Sequence, residues 1–137
     1  MVMSVTGTAE GVKVKAGGPP VQTEQELEIV KRYVIMGIAM RILDHDIRIV
    51  GRAPMKLPRF YESLLRALQD RVLLEMAAMR KQFRELGIKI YDEQRSPERL
   101  TARYVCRGYH HQFSLLWNFV RVEAERILKS YTPETEG

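Results

Sequence analysis

Between residues 24 and 131 the apolar positions recur mainly at steps of three and four, the period of helices that bury one face. The stretch Glu24–Val50 carries two such stripes. One runs through Ile29, Tyr33, Met36, Met40, Leu43 and Ile47, and the other through Leu27, Val30, Val34, Ile38, Ile42 and Ile49. A helix apolar nearly all round is a buried helix. In so short a chain, this pattern raises the expectation that the first stripe packs on a second molecule.

The ends of this helix are marked by sequence. Thr23 stands three residues before Glu26, the spacing of a capping box, and Gly51 suits the position just past a helix end. The prolines of Arg52-Ala53-Pro54-Met55-Lys56-Leu57 push the preceding residues out of the helical region, making a connector. Pro58 is suited to a first helical position and opens a second helix that runs to Leu86. Its main stripe is Tyr61, Leu65, Leu68, Val72, Met76, Met79, Phe83 and Leu86, within an arc of about 80°. A flanking patch, Phe60, Ala67, Leu74 and Ala78, carries two alanines that would let another helix approach closely. Gly87 predicts a left-handed stop, with Ile88 packing back on Phe83.

From Ile88 the period changes. IKIYDE and LTARYVC are β-branched and aromatic, and Gln94–Arg99 between them is turn-like, so a short β-hairpin is predicted. Ser96-Pro97-Glu98 is also a good helix start, and a helix there would align Arg95, Arg99, Arg103 and Arg107 as a cationic ridge. Thr101, Tyr104, Val105 and Cys106 favour the strand, and Gly108 would interrupt the helix. A last helix is predicted over Tyr109–Tyr131, with Tyr109, Phe113, Leu116, Trp117, Val120, Ala124, Ile127, Leu128 and Tyr131 inward. The fold class expected is therefore mainly α: a three-helix antiparallel bundle with a small β-hairpin between helices two and three. Residues 1–22, rich in Gly, Pro and small side chains, read as a flexible N-terminal arm. Residues 23–132 form a single helical domain, and 133–137 a C-terminal tail.

Composition narrows the function only slightly. The chain has 137 residues, with 22 Lys+Arg against 17 Asp+Glu, a net charge of +5 that permits an acidic partner without requiring one. A single cysteine, Cys106, excludes an intramolecular disulfide and a cysteine-based zinc site. No long uncharged apolar run or signal-peptide core is present, so a cytoplasmic, soluble protein without membrane association is expected.

Candidate chemistry does not converge. Asp44-His45-Asp46 would diverge by 100° per residue on a helix and cannot close on one ion. His110 and His111 have no carboxylate one turn away, which leaves packing or a pH-sensitive role. Glu75 and Glu123 sit at the margins of apolar stripes and need cationic partners, with Arg71 near the first and Arg126 or Arg121 near the second. Cys106, flanked by Arg103 and Arg107, reads as a half-buried strand residue, with a lowered thiol pKa as the alternative. Met36, Met40, Met76 and Met79 read as core. No phosphate loop, dinucleotide fingerprint or nucleophile elbow occurs, so neither catalytic residue, metal site nor cofactor is expected.

The order helix, Pro54-Met55-Lys56-Leu57-Pro58, long helix, Gly87–Tyr91, then Tyr104–His111 resembles a family of small uncharacterised proteins of Bacillus-type bacteria, over about residues 24–131. The resemblance implies a bacterial cytoplasmic protein, chromosomal or prophage-borne, and brings no activity with it. The functional expectation is a non-enzymatic interaction or regulatory protein that forms a homodimer through Ile29, Tyr33, Met36, Met40, Leu43 and Ile47. The alternative is a nucleic-acid-binding protein that uses Arg95, Arg99, Arg103 and Arg107 together with Lys13 and Lys15 of the arm.

Overall fold

A computed structural model describes residues 23–133. The arm expected over 1–22, with Lys13 and Lys15, and the tail beyond Pro133 lie outside these residues. In chain order the elements are α1 (Glu24–Arg52), α2 (Pro58–Leu86), β1 (Ile88–Arg95), β2 (Arg99–Cys106), β3 (Tyr109–Leu116) and α3 (Trp117–Lys129). The expectation of a three-helix bundle is overturned: three helices pack with a three-stranded antiparallel sheet of order β1-β2-β3.

The error lies in one segment. The residues from Tyr109 to Leu116, expected to begin the last helix, are a full strand instead. Arg107 and Gly108 have φ of 49° and 89°. Positive φ at both central residues is what a two-residue type I′ hairpin requires, and its twist matches that of the strands. β3 therefore folds straight back on β2, pairing Cys106 with Tyr109 and Arg99 with Leu116. Along it Tyr109, His111, Phe113 and Leu115 are buried in alternation. The hairpin expected over 88–106 is present, and the alternative helix with its arginine ridge is not.

α1 begins as predicted. Thr23 Oγ1 accepts from the Glu26 N–H at 3.1 Å, and Glu26 Oε1 accepts from the Thr23 N–H at 2.9 Å, closing the capping box. The helix runs through Gly51, two residues past the expected end, to its C-cap at Ala53. α2 starts at Pro58 and stops at Gly87, whose φ is 74° and whose N–H reaches the Phe83 and Arg84 carbonyls. Only glycine adopts that backbone without steric cost.

The core lies between the helices and one face of the sheet. Val30, Val34, Met36, Val72, Leu100, Tyr104, Phe113, Leu115 and Val120 are fully buried in it. α1 is the central helix, packing against both α2 and α3. This position, rather than a second chain, accounts for its two apolar stripes. At the end of β3 the chain turns into α3, and Trp117 holds the junction. Its Nε1 donates to the Ser96 carbonyl at 2.7 Å and its backbone N–H to the Glu98 carbonyl at 3.3 Å. Ser96 Oγ in turn accepts from the N–H groups of Glu98 and Arg99, shaping the β1–β2 turn. β1 contains a bulge between Ile90 and Asp92.

Candidate interaction surface

The stripe expected to meet a partner is used inside the chain. Met36, Leu43 and Ile47 are buried, and Ile29, Tyr33 and Met40 are partly buried. Tyr33 packs edge-on against Phe83 with ring centroids 5.2 Å apart. Much of this stripe is thus turned into the chain's own core.

The uncovered apolar surface lies on α2 instead. Phe60, Leu64 and Leu74 are 54%, 50% and 71% exposed, and Ala67 and Ala78 are exposed between them. With Arg71, these residues form the series 60, 64, 67, 71, 74 and 78. Its alternating steps of four and three are the heptad spacing of a helix–helix seam. The flanking patch read from sequence contains four of these residues, and the heptad step from Phe60 through Leu64 is the signal that completes it. Before the start of α2, Leu57 and Met55 are exposed, and Ile49 near the end of α1 is exposed as well. Arg71 breaks the apolar series, and its guanidinium lies over the Tyr131 ring at 4.8 Å.

Two buried-edge networks fix the scaffold beneath this surface. Arg107, in the β2–β3 turn, grips Glu26 with both terminal nitrogens, Nη1 to Oε2 at 3.0 Å and Nη2 to Oε1 at 2.8 Å. Nη1 also donates to the Leu86 carbonyl at 2.9 Å. One side chain thus joins the start of α1, the end of α2 and the sheet. The Arg107 guanidinium, together with the Thr23 N–H and against the effect of burial, holds the Glu26 carboxyl below its ordinary range. Glu75 is the second node. Burial pushes its carboxyl up, but the hydroxyl of Tyr131 and the guanidinium of Arg32, at 2.9 Å, together bring it below the usual range. Burial and that same hydrogen bond push Tyr131 up to about 12. The partners expected for Glu75 shift accordingly: Arg32 of α1 pairs with it, while Arg71 stacks on Tyr131. Glu123 pairs with Arg126 at 2.7 Å, as expected.

The remaining sequence candidates are dispersed. Arg99 and Arg103 lie on the open face of the sheet, where Arg103 Nε donates to Gln112 at 3.1 Å. Arg95 lines a cleft with Trp117 and Arg41, and Arg107 is committed to Glu26. The four arginines form no continuous ridge. Cys106 is fully buried, with Sγ 3.9 Å from Glu26 Oε1, and burial raises its thiol pKa rather than lowering it. His110 shares a 3.1 Å hydrogen bond with the Tyr91 hydroxyl. His111 is buried and stacked on Tyr104 at 5.2 Å, and its two ring nitrogens have no hydrogen-bond partner. Burial, then His110 and Arg107, lower its pKa. Asp44 pairs with Arg48, and His45 contacts Asp46, both on the surface. Among the described residues no cluster of three or more His, Cys, Asp or Glu could hold a metal. Nor is any described helix long and apolar enough to cross a membrane.

The fold and surface define a small α+β protein with an exposed apolar stripe along α2. The chain belongs to the YhjD protein family, whose profile matches residues 21–136. No curated protein and no solved structure matches it significantly.

Proposed function

We propose that the protein is a non-enzymatic, self-associating interaction protein, paired with a second copy through the α2 seam. The observation that carries this reading is the exposure of Phe60, Leu64 and Leu74 at heptad spacing, with small Ala67 and Ala78 between them. A two-fold pair would set this surface against itself, and the alanines would let the two helices approach closely. Phe60, Leu64 and Leu74 on the seam, with Leu57 one step before them, are each half exposed or more. The proposed setting is the bacterial cytoplasm, where Cys106 stays reduced.

Light scattering coupled to size-exclusion chromatography tests the pairing. The expected mass at micromolar concentration is twice the 15.9 kDa of the chain. Leu64→Glu and Leu74→Glu, which introduce charge on the seam but not into the core, should each return the monomer. A wild-type monomer at micromolar concentration refutes the proposal.

A second reading, nucleic-acid binding, draws on Arg99 and Arg103, which share the open sheet face with exposed Tyr91. Binding through phosphates would weaken steeply with salt. A mobility shift of single-stranded DNA or RNA at low salt, lost in Arg99→Ala and Arg103→Ala, separates it from the first.

A further inference from the structure

A cleft of about 230 Å³ opens where α1, the last turns of α2 and the start of β1 meet. Its apolar lining includes Phe83, Tyr33 and Ile90, and its charged lining is Arg80, Arg84 and Lys89. No carboxylate lines it, and the ion pairs of the described residues engage none of these three cations. Arg80 Nη1 donates to the Tyr33 hydroxyl at 3.0 Å, which fixes the guanidinium at the cleft while leaving further N–H donors for a ligand. Three like charges around one small apolar hollow repel one another until an anion enters.

Arg84 lies in the last turn of α2, where a cation also complements the helix carbonyls. That role accounts for neither Arg80, more than a turn earlier, nor Lys89 on the strand. We infer that the cleft is a binding site for a small organic anion, a phosphate or carboxylate carried on a compact apolar body. The charged group would meet the guanidinium and ammonium groups, and the apolar body would cover Phe83 and Tyr33. The volume is below that of sites for drug-sized ligands, so the occupant is fragment-sized.

The test is a titration of the full chain followed by backbone amide NMR, with phenyl phosphate, inorganic phosphate and benzyl alcohol as probes. Phenyl phosphate should shift the Phe83, Lys89 and Ile90 amides saturably, at least about tenfold more tightly than inorganic phosphate or benzyl alcohol. Arg84→Met and Lys89→Met, both at exposed positions, should weaken it at least about fivefold each. Unchanged melting of the ligand-free variants would show that the fold is intact. The inference is overturned if phenyl phosphate gives no saturable shift, if inorganic phosphate binds as tightly, or if both variants bind like wild type. The outcome is independent of whether the seam pairs two chains.

Discussion

Replacing Glu26 with glutamine would remove the charge that Arg107 grips while keeping a side chain able to cap α1, since glutamine also serves at the third position of a capping box. The loss is therefore that of the ion pair. The Glu26 side chain is 11% exposed and that of Arg107 is 34% exposed. Hydrogen bonds to charged groups contribute about 1.5–3 kcal/mol. Solvent reaching the arginine lowers this to about 1–2 kcal/mol. Glu26→Ala also removes the return bond to the Thr23 N–H and should cost about 1 kcal/mol more. Urea unfolding followed by circular dichroism gives both numbers, and a cycle with Arg107→Met gives the coupling. The double variant should be less destabilised than the two singles predict by about 1 kcal/mol. The pH dependence has a definite sign. A carboxyl whose folded pKa is depressed contributes stability above its unfolded value of about 4.3 and loses it as pH falls through the folded value. The gap between wild type and Glu26→Gln should hold at neutral pH and close on acidification below about 4.3. Additive singles, or a gap that does not change with pH, would refute the clamp.

Other expectations follow from the same geometry. Gly87→Ala forces a left-handed backbone onto a β-carbon that would lie 3.0 Å from Arg107 Cγ, and should cost about 1–2 kcal/mol by thermal unfolding. His111 is buried with a lowered pKa, so wild-type stability should fall as pH drops below about 6.5. His111→Phe should flatten that limb of the stability profile and raise neutral-pH stability by about 1 kcal/mol. Tyr131→Phe leaves Glu75 with Arg32 alone and should lower stability by about 1 kcal/mol. In the wild type, spectrophotometric titration should show one tyrosine ionising near 12, and Tyr131→Phe should remove it.

Where local chemistry decided the structure, the sequence was readable. Thr23 and Glu26 announced the start of α1, and Pro58 and Gly87 bounded α2 to the residue. β3 was misread because its eight residues satisfy both periods. Tyr109, Phe113 and Leu116 fit a helix face, while Tyr109, His111, Phe113 and Leu115 fit a strand face. The Arg107-Gly108 turn chooses between them. Arginine rarely supplies the positive φ of such a turn, and here its side chain is anchored on Glu26, a contact that sequence cannot show. The two stripes of α1 were legible, but their consequence was not: α1 lies between α2 and α3, which between them cover most of both stripes. The apolar stripe left exposed lies on α2, not on α1. The Phe60–Ala78 patch was in view, yet its exposure depends on where α1 and α3 leave α2 uncovered. The cationic cleft joins Arg80, Arg84 and Lys89 to Tyr33 of α1, far away in the sequence, and only the fold brings them together.

The bulge in β1 has a consequence for how copies of this chain can meet. β1 and β3 are the two edge strands of the sheet, and a straight β1 of eight residues would invite a neighbour to add its own strand. The register shift between Ile90 and Asp92, flanked by Lys89, Glu93 and Arg95, bends and charges that edge. Head-to-tail addition of β1 to the β3 edge of another copy would be open-ended, whereas the proposed helix seam, closed by two-fold symmetry, would stop at two. The kinked, charged β1 edge thus disfavours strand addition along that side of the sheet, so the proposed pairing would draw on the helical face and not on β1.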